Sequence, residues 1–282
     1  MQNFIYEMQR TFRSKFVITM MIIIILASGL VAYAVTSPGA PRPAIKPPVT
    51  FAVQAGIFNI MNLIFLFLIP ILAIFEGYII YGKDRTNGVL ESVVTRPTTK
   101  GQILFSRFLA CVVSILIALV ASTLIIDAGV ASYFASGLPA SMMIALIAAY
   151  LVSGAAFVGL VFLFSHLVKS QTSVLGLSIT VYLIMGLFWS TITFLLLILG
   201  MNLHPGTLGF DRAAVVLSFV NPAYFGSNVV LYVTRTSIIG GIFNPGVSPA
   251  SLGVTLASLV AAGAAWMAVP ILSSYLMAKK FD

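Results

Sequence analysis

The feature that most constrains this chain is a series of long apolar runs. A helix rises 1.5 Å per residue, so roughly 20 apolar residues cross a hydrocarbon layer about 30 Å thick. Only 8% of the residues are charged and 60% are hydrophobic, which is too little polar surface to cover a soluble globule. The sequence therefore predicts an all-α polytopic membrane protein and excludes a soluble enzyme or a disordered linker. The six expected transmembrane helices cover residues 16–36, 52–81, 104–126, 140–165, 173–200 and 251–278.

The positive charges of the chain predict its orientation. Six spans place both termini on one side of the membrane, and eleven of the 15 Lys and Arg residues fall on that side. Because basic residues are enriched on the cytoplasmic side, we expect a multi-pass protein of the cell membrane with both termini cytoplasmic. The net charge of +8 then follows from topology, and no nucleic-acid partner is expected. Ala32-Tyr33-Ala34 resembles a signal-peptide cleavage site, but the preceding apolar run is long and is interpreted as a span.

Both ends of the predicted single transmembrane domain, 1–282, carry additional elements. At residues 1–15, Phe4, Ile5, Met8 and Phe12 recur at helical spacing, which indicates an amphipathic helix in the membrane interface. Spans one to five occupy 16–200, and the last span and a cytoplasmic tail occupy 251–282.

The outer region, 201–250, contains a hydrophobic stretch at 213–233 that Asn221-Pro222 interrupts. Its first piece is too short to cross a bilayer, so we expect a pair of re-entrant helices before the last span. The alternative is a seventh span kinked at Pro222, which would place the carboxyl terminus outside, against the charge distribution.

The connection between the second and third spans combines an apolar stripe with helix boundary signals. We expect a helix from Asp84 to Thr95 whose stripe needs a cover, either lipid headgroups or a soluble partner. Pro97 ends this helix, and Thr99 with Gln102 forms a capping box that begins the third span. The stripe consists of Val89, Leu90, Val93 and Val94, with Glu91 on the polar side.

This connection resembles that of the ATP-binding-cassette type 2 permeases. The resemblance rests on Glu76, Gly88-Val89-Leu90 in place of the family's Gly-Thr-Leu, Pro97, Lys100 and Arg107, and on the layout of the whole chain. It implies a homodimer that forms the translocation route, and a cytoplasmic coupling helix that docks onto separate ATPase subunits. The coupling residues would be Asp84, Gly88, Val89, Leu90, Glu91, Val93, Val94 and Pro97.

No cofactor is expected in this chain. The segment from Gly77 to Asp84 nearly matches a phosphate-binding loop, but it lacks the Ser or Thr that would bind Mg²⁺ and lies at the end of an apolar span. ATP and magnesium are therefore expected on the partner ATPase, and this chain is not expected to be an enzyme. His166 and His204 have no further ligands at metal spacing, so no metal site is expected.

Polar residues within the spans are candidates for the substrate route. Asn59 and Asn62 share one helix face with Leu66, and this face either lines the route or forms hydrogen bonds between helices. The resemblance implies that the second and fifth spans line the route. The fifth span offers Ser178, Tyr182 and Ser190, which alternatively bond to their own helix.

Glu76 is the only acidic residue within a predicted span. It is either a gate or an interfacial carboxylate paired with Lys83, Lys100 or Arg107, and we favour the pair.

The predicted function is the permease subunit of an ATP-driven exporter. The alternatives are an ion-coupled secondary transporter and a non-transport integral membrane accessory protein. A secondary transporter needs ion-coupling groups near the middle of the membrane, and the centres of the predicted spans contain no carboxylate or histidine. Whether an ATPase co-purifies with this chain discriminates between these functions, because a secondary transporter is driven by an ion gradient and needs no ATPase.

Overall fold

The computed structural model describes residues 2–35, 46–89, 99–234 and 249–280, and these ranges form helices without strands. Five helices are long and apolar enough to cross a membrane, and a bent helix pair at 171–200 makes a sixth if it crosses as one span. The predicted all-α polytopic membrane architecture is confirmed, with five to six spanning helices. The first to fourth spans and the last span are Lys15–Val35, Phe51–Thr86, Lys100–Tyr133, Ala140–Leu167 and Leu256–Lys280.

The fourth span lies at the centre of the bundle. Two thirds of its most apolar 18-residue stretch is buried, whereas 22% of the corresponding stretch of the last span is buried. The fourth span contacts the second, third and last spans. The first span packs on the second and third spans. At Gly159 the fourth span approaches the last span so closely that an added Cβ would lie 2.9 Å from Cβ of Pro270.

The second span continues beyond its predicted end. Its α-helix, Phe51–Gly77, passes through a π-helical turn, Tyr78–Gly82, and ends in one further α-turn, Lys83–Thr86. The chain leaves the helix at Asn87, and Gly88 has a φ of 71°, a left-handed conformation that glycine adopts without strain. The prediction of one helix from Asp84 to Thr95 is therefore wrong at its start, because Asp84 belongs to the second span. Residues 90–98 lie outside the described ranges.

The expected fifth span, 173–200, is bent by 61° at Phe188. We call it the bent pair. Its first half is Gln171–Tyr182 with a π-turn Leu183–Leu187, and its second half is Trp189–Leu195 with a π-turn Leu196–Gly200. The amide of Phe188 donates to the carbonyl of Leu183, five residues back, which is the π pattern. Such turns interrupt the regular helical ladder and account for a bend without proline.

Two short helices, Leu208–Phe219 and Pro222–Thr234, lie between the bent pair and the last span, and we call them the short pair. Their 12 and 13 residues reach roughly 18–20 Å, too little to cross a hydrocarbon layer of about 30 Å. The predicted break at Asn221-Pro222 is confirmed. Within the described ranges, the short pair is not among the helices or bent pairs that are long and apolar enough to cross a membrane, which argues against the alternative of a seventh span kinked at Pro222.

The amino-terminal helix, Gln2–Arg13, occupies the position that its periodicity predicts. Its polar residues Glu7 and Thr11 are buried against the bundle. The apolar stripe lies on another face, where Ile5 is 54% exposed. The helix therefore presents polar residues to the protein and Ile5 to its surroundings, while Phe12 of the stripe packs against the core.

Candidate coupling site and transport route

Four charged residues meet at one end of the bundle, and we call them the charge cluster: Glu7, Arg10, Asp84 and Arg107. They come from the amino-terminal helix, the end of the second span and the beginning of the third span. Arg107 is 3% exposed, Glu7 6% and Asp84 8%. Because buried charges are tolerated only when they are paired, the cluster fixes the relative positions of these three elements.

Arg107 is the centre of the charge cluster. Its Nε lies 3.0 Å from Oε1 of Glu7, and its Nη1 lies 2.9 Å from Oδ2 of Asp84. The same Nη1 donates to the carbonyl of Ile80 at 2.9 Å, inside the π-turn of the second span. A guanidinium offers several donors in one rigid plane, which suits this three-way contact.

Arg10 closes the charge cluster on the exposed side. Its guanidinium binds both carboxylate oxygens of Asp84, with Nη1 to Oδ2 at 2.6 Å and Nη2 to Oδ1 at 2.9 Å. Hydrogen bonding to Asp84 raises the pKa of Arg10 above its usual value, so this residue stays charged at any physiological pH. The cluster has two positive and two negative groups and is formally neutral.

A second set of polar contacts holds the same end of the second span from its other side. The hydroxyl of Tyr81 lies 2.9 Å from Nε2 of His166, and Nε of Arg85 donates to Nδ1 of His166 at 3.5 Å. Gln171, at the beginning of the bent pair, forms a hydrogen bond with Asn87. The beginning of the connection is thereby held to the fourth span and to the bent pair as well.

Two residues of the charge cluster have different roles in the sequence prediction: Asp84 is a coupling residue, and Arg107 is a possible partner of Glu76. Asp84 was expected on a docking helix, and the structure pairs it with Arg10 and Arg107 instead. Gly88 and Val89 follow two and three residues after the helix end at Thr86, and Val89 is 42% exposed. The other predicted coupling residues lie outside the described ranges: Leu90, Glu91, Val93, Val94 and Pro97.

Sequence analysis missed the roles of Glu7 and Arg10. One signal was available, because the chain has only seven acidic residues and Glu7 is one of them. It lies on the amino-terminal helix away from the apolar stripe, at the spacing that brings it beside Arg10. The partner Arg107 is 100 residues away along the chain, and no local pattern indicates it.

Glu76 does not pair with Arg107, so that part of the favoured prediction is wrong. Its side chain is fully buried, and it accepts a hydrogen bond from the hydroxyl of Ser114. Its Oε2 has no hydrogen-bond partner among the described residues. Lys83 is exposed on the last turn of the second span, about ten ångströms further along the helix.

The predicted route residue Asn62 joins three helices near the opposite end of the bundle. Its Nδ2 donates to Oγ of Ser227 at 3.1 Å, and the hydroxyl of Tyr150 donates to its backbone carbonyl at 2.9 Å and to its Oδ1 at 2.5 Å. Asn62 therefore connects the second span, the fourth span and the second helix of the short pair. An added Cβ at Gly226 would lie 2.7 Å from the ring of Tyr150, so the helices approach closely here.

The remaining route candidates have different surroundings. Ser178 is buried and donates to Val174 of its own helix, whereas the buried Tyr182 donates to the carbonyl of Phe67 at 3.1 Å. Ser190 is half-buried. Asn59 is half-buried and Leu66 is buried. The contacts of Asn62, Ser178 and Tyr182 lie within one chain, and a role in the route stays a prediction for all six residues.

The predicted absence of a metal site stays an expectation. Within the described ranges, no group of three or more His, Cys, Asp or Glu side chains is arranged to hold a metal ion.

The overall layout agrees with one known family. A comparison with curated proteins found no match. A family model described as ABC-2 family transporter protein matches residues 4–282, which is essentially the whole chain. This family consists of the membrane subunits of ABC transporters, which pair with ATPase subunits. The chain, with its five to six apolar helices, is therefore a membrane protein that belongs to the ABC-2 transporter family.

Proposed function

We propose that this protein is the permease subunit of an ATP-driven exporter, working as a homodimer with two separate ATPase subunits. The family match over the whole chain supports the permease assignment. The charge distribution supports an orientation in the cell membrane with both termini in the cytoplasm. ATP and magnesium then bind to the ATPase partner.

The observation that carries the proposal is the charge cluster, which lies where the connection between the second and third spans begins. A contact that transmits work from an ATPase must be attached firmly to the spans that move. Asp84 precedes Gly88 by four residues and is paired with charges from two other elements. A displacement of the coupling residues 88–97 is thereby passed to the amino-terminal helix and to the third span.

The apolar character of the connection supports a protein partner. Val89 is 42% exposed, and the sequence places Leu90, Val93 and Val94 after it at helical spacing. Exposed apolar side chains gain free energy when a partner covers them. An ATPase groove at the cytoplasmic surface is the partner that the family provides.

Purification from native membranes tests this assembly. The tagged full-length chain is extracted in mild detergent, its partners are identified by mass spectrometry, and the intact complex is weighed by native mass spectrometry. We expect two permease chains with two ATPase chains and ATP hydrolysis by the complex. A single chain that transports in response to an ion gradient, without an ATPase, would contradict the proposal and favour a secondary transporter.

A further inference from the structure

Asn221 lies in the break of the short pair and is fully buried. Its Oδ1 accepts a hydrogen bond from the amide of Ala223 at 2.9 Å, which caps the helix beginning at Pro222. Proline suits that first helical position because the amide it lacks would have no partner there. Asparagine is among the best residues for the preceding cap.

The other end of the same side chain reaches the bent pair. Nδ2 of Asn221 donates to the carbonyl of Met185 at 2.6 Å. Met185 lies in the π-turn just before the bend at Phe188, where the helical ladder is interrupted. Backbone carbonyls at helix interruptions need partners from outside the helix. One buried amide therefore satisfies a backbone group at each of two helix breaks.

The two halves of the bent pair are held differently. The hydroxyl of Tyr182 ties the first half to the carbonyl of Phe67 in the second span. The second half has no buried residue from Trp189 to Leu195. Its position therefore depends on a few contacts, such as the buried Leu197 of its π-turn and the ring of Phe194, whose centroid lies 6.2 Å from that of Phe210 in the short pair.

Two neighbouring contacts hold the short pair without reaching the bend. Nδ2 of Asn228 donates to Oγ of Ser218 at 2.8 Å and closes the two short helices on each other. Nε1 of Trp266 donates to the carbonyl of Phe219 at 3.0 Å and attaches the pair to the last span. Asn221 differs from both because its amide connects the break of the short pair with the bend.

We propose that Asn221 is a positioning residue that locks the break of the short pair to the bend at Phe188, so that both move as one gate at the outer end of the route. The role as a gate rests on the proposed function. The inferred connection between the break and the bend rests on the hydrogen bonds of Asn221.

Distance measurements between spin labels test the connection. Cys111 is the only cysteine and is buried, so Cys111→Ala gives a cysteine-free parent protein. Spin labels are then attached to cysteines introduced by Leu187→Cys and Val216→Cys. Leu187 is 46% exposed beside the bend, and Val216 is 64% exposed on the first short helix. The labelled chain is reconstituted in lipid nanodiscs, alone and with its ATPase.

Asn221→Ser is the informative variant because serine still caps a helix but is too short to reach Met185. Asn228→Ala is the matched control, since it removes a hydrogen bond of the short pair that does not involve the bend. If Asn221→Ser does not insert, Asn221→Asp takes its place, because it keeps the capping oxygen and removes the donor.

We expect one narrow distance distribution in the parent and in Asn228→Ala. In Asn221→Ser the distribution should be at least about twice as wide, because this variant lacks the hydrogen bond to Met185, and the loss shifts the conformational equilibrium about tenfold. In the complex, trapping with ADP and vanadate should leave the distance unchanged in the parent and change it in Asn221→Ser. Equal widths and equal responses in all three proteins would overturn the inference. The measurement without nucleotide needs only the permease, so a missing ATPase would contradict the proposed function and leave this test intact.

Discussion

Arg107 and Glu7 form an ion pair between residues 100 positions apart, with 3.0 Å between Nε and Oε1. The pair is buried and ties the amino-terminal helix to the third span. Since Arg107 also binds Asp84, a single side chain joins the beginning of the chain to the connection that follows the second span.

Replacing Arg107 with Ala should destabilise the protein strongly. The change leaves the buried Glu7 with only the 3.8 Å contact to Arg10 and leaves Asp84 with Arg10 alone, and removing one partner of a buried ion pair costs about 3–5 kcal/mol. Arg107→Lys should restore only part of this loss, because an ammonium lacks the planar set of donors. Thermal unfolding in detergent, followed by the fluorescence of Trp189 and Trp266, measures the effect. Arg13→Ala is the control, since Arg13 is exposed on the amino-terminal helix that carries Glu7 and should change stability by less than about 0.5 kcal/mol.

The two asparagines of the second span should respond differently to leucine. Asn62→Leu removes the donor to the buried Ser227 and one of the two acceptors of the Tyr150 hydroxyl, at a cost of about 1–3 kcal/mol. Asn59→Leu should leave the unfolding temperature unchanged, because Asn59 is half-buried and outside that network. If Asn59 lines the route, its replacement should still alter ATP hydrolysis by the complex. Equal stability losses in both variants would show that Asn62 has no special structural role.

Gly226→Ala should destabilise the contact between the short pair and the fourth span. The added methyl group would lie 2.7 Å from the ring of Tyr150, and such overpacking costs about 1–3 kcal/mol. Gly176→Ala is a suitable control, because an added Cβ there has no atom within 4 Å. Limited proteolysis at residues 201–207 and 235–248, before and after the change, reports whether the short pair between them has loosened. Identical cleavage in both variants would contradict the close contact.

Glu76→Gln should be at least as stable as the wild type. Glutamine retains the acceptor for Ser114 and removes any charge from a fully buried site whose Oε2 has no described partner. Glu76→Lys should prevent stable insertion or folding, because the cation would have no buried anion to pair with. Expression level and thermal unfolding measure both effects. A clear stability loss in Glu76→Gln would indicate an ionic partner and restore the interpretation as a charge pair.

The parts of the fold that local chemistry determines were predictable from sequence. Apolar runs indicate spans because only helices satisfy their backbone in lipid, and the Asn221-Pro222 break follows from the constraints on proline. The capping box of Thr99 and Gln102 is confirmed by hydrogen bonds in both directions. Each of these signals lies within a few residues of the element that it determines.

The parts that depend on distant residues were not predictable. The bend at Phe188 arises from π-turns and from packing, without a proline to indicate it. The ion pairs of Arg107 join positions far apart in the sequence, and hydropathy does not report such contacts. The second span continues to Thr86, beyond the end of its apolar run, because two arginines neutralise Asp84. In each case tertiary contacts override the local pattern.

We propose that the connection beginning after the second span docks onto an ATPase. Leu90→Asp places a carboxylate in the predicted apolar stripe, where burial by a partner would cost several kcal/mol, and it leaves the apolar spans unchanged. Lys83→Ala is the control, since Lys83 is exposed before the stripe begins and an exposed charge contributes about 0–1 kcal/mol. A pull-down of the ATPase from membranes with equal amounts of inserted permease compares the two with the wild type. We expect Leu90→Asp to lose the ATPase and Lys83→Ala to retain it; full retention by Leu90→Asp would contradict docking through this segment.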